Sequence, residues 1–288
     1  MVVSIPEKTL EHWASIYLTY RYHSHASLWW PAHGEDINVG NLPPTAGKAV
    51  QLEMKTTYLN TKGDVHQVKI NLKQLDRYLR RPHGKRPFYV FPRPHWTGEL
   101  EVAAPADCVP ATEVGYRRAD YAYPSTATWW FAEWLVVLTT DQVKAIVATD
   151  LASYQAGTWV AKSDSVILVT FDLTSGKPVT TWADGARHRV IPWLKLWPRL
   201  DECGAASWPQ LVRVPASVLG RRRAVRHGDI RGLLADSNHA DGELITMTSG
   251  EDGLYRPLPE ELDPRDSTDA ADDHRIVAFL GADALRAN

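Results

Sequence analysis

Three side chains near the start of the chain have the types and spacing for divalent-metal chemistry. Asp36 lies in one stretch that alternates polar with apolar residues, and Glu53-Met54-Lys55 closes another. In an extended strand, residues two apart face the same way. Glu53 and Lys55 therefore share a face, and a neighbouring strand can bring Asp36 to it. Two carboxylates suit Mg2+, which keeps several waters and is commonly held by one or two carboxylates plus a substrate phosphate; Mn2+ accepts the same donors. Such an ion lowers the pKa of a bound water, polarises a phosphoryl oxygen and steadies the leaving oxygen of an in-line displacement. The Lys55 ammonium adds a cation that orients the attacking water or meets the charge building on phosphorus. The same alternation also arises on a solvated strand face, so the flanking elements have to decide between the two readings.

Those elements follow from periodicity. Ser4-Ile5-Pro6-Glu7 has the form of a capping box, and Leu10, Trp13, Ala14, Tyr17 and Leu18 recur at one helix face, predicting a helix over 5–22. Residues 26–31 and 34–40 read as two strands. Asn41 to Gly47 is a turn by composition, and 49–57 alternates as a third strand, with Val50, Leu52 and Met54 on one face and Gln51, Glu53 and Lys55 on the other. From Val68 the period changes: Val68, Leu72, Leu75 and Leu79 form one helical stripe, with Lys69, Lys73, Arg77, Arg80 and Arg81 outside it. Arg81-Pro82-His83-Gly84 ends that helix, and Pro87 to Pro92 is a short strand.

The order αβββαβ, with Gly34-Glu35-Asp36 followed by Glu53-Met54-Lys55, resembles the PD-(D/E)XK nuclease superfamily, the restriction-endonuclease-like fold. The resemblance covers residues 5–92. It implies an α/β fold with that core; residues 93–288 resemble no known family and are read as a C-terminal α+β extension. Asp36, Glu53 and the Met54 carbonyl would hold Mg2+, and Lys55 would assist the water. Gln74 and Tyr78 are similar to the QxxxY element of the RecB-like branch and would point at the site from the second helix. Glu11 is a candidate accessory acid on the first helix, one turn beyond Glu7. Lys69, Lys73, Arg77, Arg80 and Arg81 would contact DNA phosphates. Glu35 stands where the family name has proline. The iron–sulfur cluster of some RecB-like members has no ligands here, because the only cysteines are Cys108 and Cys203.

Composition bounds the remainder. At 288 residues, with 44% hydrophobic and 23% charged residues, the chain has the makeup of a globular protein. Its longest strongly apolar run, Trp134 to Leu138, is far below the roughly 18–20 residues of a membrane span. The start lacks the pattern of a secretory signal, which predicts a cytoplasmic protein with reduced thiols. The net charge of −2 hides a gradient: residues 1–100 hold 13 Lys and Arg against 8 Asp and Glu, and 201–288 hold 10 against 16. The basic end fits a polyanion partner.

Three regions are expected: a nuclease-like core over 1–100, which strands from 129–150 can extend; a Trp-rich extension over 101–235; and an acidic segment over 236–288, with a linker at 249–273. Strands are expected over 129–138 and 166–173, and a helix over 141–149. The knot Arg221-Arg222-Arg223, with Arg226 and Arg231, is suited either to phosphate or to the acidic segment after it. Residues 101–288 are also the segment available to a second copy or a protein partner. No HExxH, GxSxG, GxGxxG or P-loop pattern is present. The expectation is a Mg2+-dependent nuclease acting on DNA, endonuclease and exonuclease action both open and phosphate contacts alone not separating DNA from RNA. The rival is a non-catalytic DNA-holding or docking module on the same fold.

Overall fold

In the computed structural model the described residues are 6–31, 42–59, 65–92, 135–160, 165–172, 180–182, 190–237, 240, 242–258, 275–283 and 285. They form a mixed α/β fold. The first part contains α1 (Glu7–Tyr22), β1 (Ala26–Trp29), β2 (Gly47–Met54), β3 (Tyr58–Leu59), β4 (Val65–Asn71), α2 (Leu72–Arg80) and β5 (Phe88–Pro92). Then come β6 (Leu135–Thr139), α3 (Thr140–Ile146), α4 (Ala148–Gln155), β7 (Ser165–Asp172), β8 (Thr180–Trp182), β9 (Ile191–Pro192) and α5 (Trp193–Asp201). The last part holds β10 (Leu211–Pro215), α6 (Ala216–Leu219), β11 (Val225–Arg226), α7 (Ile230–Asp236), β12 (Leu244–Ser249), β13 (Leu254–Pro257) and β14 (Arg275–Gly281).

The chain divides into two compact units whose segments interleave. One comprises Met1–Tyr17, Met54–Asp76 and Tyr89–Lys195, and the other Leu18–Glu53, Arg77–Phe88 and Leu196–Asn288.

In the first unit, β4 pairs antiparallel with β3 on one side and with β7 on the other, and β8 continues from β7. Apolar strand residues such as Val68, Ile70, Val90 and Val137 are fully buried. Thr139 caps α3 through a reciprocal capping box with Gln142, which satisfies two helix-end donors at once.

In the second unit, strands lie in the order β11-β13-β12-β10-β2. β14 runs antiparallel to β2 over seven positions, from Arg275 opposite Glu53 to Gly281 opposite Gly47, and β1 pairs with β14. Val212, Val214, Leu219, Val225, Ile230 and Met247 share one buried cluster. Gly84 is required where the chain passes this sheet, since a Cβ there would collide with the Gln210 carbonyl oxygen and lie 2.7 Å from Thr248 Oγ1.

Two expectations are corrected. The helix predicted from Val68 begins at Leu72, because residues 65–71 are strand β4. Val68 and Ile70 face inward with Lys69 exposed between them, as in a strand. Asn71 sets the boundary, its Oδ1 accepting the Gln74 N–H at 3.0 Å, a local bond that caps the helix. Lys69 consequently lies on a strand, its ammonium 5.4 Å from the centre of the Tyr58 ring. The linker expected from 249 is displaced as well: residues through Pro257 form the β12–β13 hairpin, with Met247 opposite Pro257 and Ser249 opposite Tyr255. Residues 34–40 and 129–134 lie outside the described residues.

Candidate functional site

β2 ends with Glu53 and Met54, and all eight of its positions are buried. A solvated polar face is therefore ruled out for Gln51 and Glu53. Burying a carboxylate is costly unless it is hydrogen-bonded and paired, and the second unit supplies the partners. The Tyr78 hydroxyl donates to Glu53 Oε2 at 2.6 Å, the length of a strong charge-assisted bond. Arg275 stands directly across the β2–β14 ladder from Glu53, and its Nη1 reaches Gln51 Oε1 at 3.4 Å. Gln51 Nε2 in turn donates to the Lys85 carbonyl at 2.9 Å. Glu53, Gln51, Tyr78 and Lys85 have no exposed surface, and Arg275 has almost none.

Tyr78 is the hub of this cluster. The guanidinium carbons of Arg77, Arg81 and Arg275 lie 5.6, 5.0 and 5.8 Å from its ring centre, within cation–π range. Arg77 and Arg81, expected to face DNA, are thus drawn against the tyrosine and half-buried, whereas Lys73 and Arg80 on the same helix are exposed.

The first unit holds the other candidates. Lys55 is buried, with its backbone N–H donating to the Val90 carbonyl at 2.8 Å. Glu7 Oε1 accepts the Thr56 N–H at 3.1 Å, which ties α1 to the segment after Lys55. Glu11, the candidate accessory acid, is buried and lies 3.4 Å from the Lys8 ammonium. The Gln74 side chain is buried, and Asp76 accepts a bond from Gln155 Nε2 at 2.6 Å.

No protein-family model, curated protein or solved structure matches the chain. The residues themselves must carry any functional reading.

Asp36 lies outside the described residues. Among the described residues no three His, Cys, Asp or Glu side chains gather into a group able to hold a metal. Glu53 is an oxygen donor of the right kind for Mg2+, with Oε2 shared with Tyr78. A carboxylate pair would require Asp36 as the second donor. No described helix is long and apolar enough to cross a membrane.

Sequence reasoning did not find Arg275, Gln51 or Lys85. Gln51 had a signal, since it shares Glu53's strand face. Arg275 had a fainter one: an arginine at the head of the apolar run Ile276 to Leu280.

A second buried charge cluster lies elsewhere in the same unit. Asp201 accepts bonds from Arg21 at 2.7 Å and Tyr22 at 2.8 Å, and the Lys48 ammonium donates to the Leu200 carbonyl at 2.6 Å. Burial holds the Lys48 pKa below its ordinary value against the pull of Cys203 and Asp201. Burial, with the nearby Asp201 charge, raises that of Tyr22. Cys203 is a buried free thiol whose backbone has the left-handed φ of 100°, rare for a residue with a side chain. Its carbonyl accepts from Gln210 Nε2 at 2.7 Å and lies 2.9 Å from His227 Nε2.

Proposed function

We propose that the chain is a metal-dependent nuclease that hydrolyses DNA phosphodiester bonds, with the PD-(D/E)XK fold and a RecB-like element. The observation that carries the reading is the bond from Tyr78 to Glu53. It joins the tyrosine of the QxxxY pattern to the acid of the ExK pattern, 25 residues apart, as that resemblance requires of a shared site. Burial adds support, because a Glu, an Arg and a Gln kept inside a strand pair conflict with core packing, and such conflicts concentrate at functional sites.

In this reading Asp36 and Glu53 hold Mg2+, which Mn2+ can replace, with the Met54 carbonyl as a further donor. The ion supplies the activated water and the Lewis acid. Tyr78 fixes the Glu53 carboxylate by its hydroxyl, and Arg275 holds the neighbouring Gln51. The resemblance gives Lys55 the role of orienting the water and Gln74 a supporting one. Exposed Lys69, Lys73 and Arg80 engage backbone phosphates.

A second reading is favoured by one observation: Glu53 is wholly buried, bonded by Tyr78 and faced by Arg275. A carboxylate satisfied in this way suits a non-catalytic DNA-holding or docking module. The two readings separate on cleavage of DNA in Mg2+ or Mn2+ against EDTA. They also separate on melting temperature, which a metal bound only to the folded state raises. The nuclease should cut, and the ion should raise its melting temperature but not that of Glu53→Gln. A docking module should do neither.

A further inference from the structure

The connection from α6 into α7 carries Arg221, Arg222, Arg223, Arg226 and Arg231 within eleven residues, against one acid, Asp229. All five arginines are exposed. Among the described residues none of them is ion-paired, whereas Arg21, Arg86 and Arg256 of the same unit are paired with Asp201, Glu251 and Asp252. The backbone beneath them is fixed. Leu219, Val225, Ile230 and Leu233 are buried in one cluster, Val225 and Arg226 pair with Tyr255 and Leu254, and the His227 N–H donates to the Gly253 carbonyl at 3.0 Å. Like charges concentrated on a fixed ridge repel one another, and an anionic partner relieves that cost.

We propose that this arginine ridge docks the sugar-phosphate backbone of duplex DNA. The proposal rests on the nucleic-acid partner of the reading above and not on its metal chemistry. Guanidinium presents a planar fork of donors that matches phosphate, so a ridge of arginine without lysine suits phosphate recognition. At about 3.3 Å per extended residue, Arg221 to Arg226 spans up to roughly 16 Å, close to the rise of about five nucleotides of one strand. No Phe, Tyr or Trp occurs between Gly220 and Asp236, so the large aromatic platforms on which bases stack are absent from this segment and binding rests chiefly on the backbone. It should therefore be nearly independent of sequence.

The test is binding of the full chain to a labelled DNA duplex in EDTA, across a salt series, for wild type and for Arg221→Gln/Arg222→Gln/Arg223→Gln. Each phosphate contact contributes about 0.9 to the slope of log affinity against log salt, so losing three lowers it by about 2.7. Wild type should then lose about 40-fold more affinity than the variant between roughly 50 and 200 mM salt. The variant should bind more weakly at low salt and melt at the wild-type temperature. Equal affinity and slope would overturn the proposal, as would a wild type that does not bind. Polyglutamate displacing DNA as a tighter, arginine-dependent ligand would overturn it in favour of an acidic protein partner. Cutting is read separately in Mg2+: if Glu53→Gln leaves it unchanged while binding still depends on the arginines, the nuclease site fails and the ridge stands.

Discussion

Removing the Tyr78 hydroxyl with Tyr78→Phe tests the bond on which the site is built. The aromatic ring stays, and with it the packing and the three guanidinium groups around it, so the change removes the hydroxyl alone. That bond is 2.6 Å long between two side chains with no exposed surface, and its acceptor has no water to replace the lost donor. Hydrogen bonds to charged groups contribute about 1.5–3 kcal/mol net, so a loss of about 2 kcal/mol is expected. For a chain of this size that lowers the melting temperature by roughly 3 °C. The assay is urea unfolding followed by tryptophan fluorescence, reading the midpoint at constant m-value. Glu53→Gln in both backgrounds completes a double-mutant cycle. An amide carbonyl still accepts from the hydroxyl, about half as strongly, so a coupling near 1 kcal/mol is expected. A Tyr78→Phe protein within about 0.5 kcal/mol of wild type, with no coupling to Glu53, would refute the reasoning.

Three further outcomes follow from the same geometry. Because burial depresses the Lys48 pKa below its unfolded value of 10.5, the unfolded chain holds that proton more tightly. Stability conferred by Lys48 therefore rises with pH from the folded pKa toward 10.5. The stability difference between wild type and Lys48→Met should shift toward wild type as pH rises in that window, and a flat difference contradicts the assignment. Asp252 is held at about 2, from 3.8, chiefly by hydrogen bonds from Arg256 and the Leu254 N–H. The favourable pairing is fully present above 3.8 and lost as pH falls toward about 2. A carboxyl NMR titration should give that low midpoint, moved upward by Arg256→Gln, whereas an unshifted 3.8 contradicts it. Gly84→Ala should cost about 1–3 kcal/mol by overpacking against the Gln210 carbonyl, and an unchanged urea midpoint would show that the backbone there yields.

The fold was legible where one physical signal dominates. The apolar stripe of α1 at Leu10, Trp13, Ala14, Tyr17 and Leu18 is buried throughout, since no other face of that helix offers a comparable hydrophobic area. Val68, Leu72, Leu75 and Leu79 misled because strand residues Val68 and Ile70 happen to continue into a helix in helical phase. The Asn71 cap that separates them is a single polar atom. Residues 249–257 look solvated by composition, yet their backbone is held in the sheet by bonds that any side chain permits. Glu53 was legible by type, but its burial was not, because burial depends on β14. The Arg275–Gln51 contact spans 224 positions, and sequence spacing carries no information over such a distance.

Cleavage of linear and circular DNA by the full chain, in Mg2+, Mn2+ or EDTA, with Glu53→Gln and Lys55→Ala alongside, tests the central claim most directly. The account predicts cutting that requires the metal and disappears in both variants while each remains folded, with cleavage of the circle marking endonuclease action and its survival exonuclease action. Intact DNA under every condition, or cutting that survives Glu53→Gln, would contradict it.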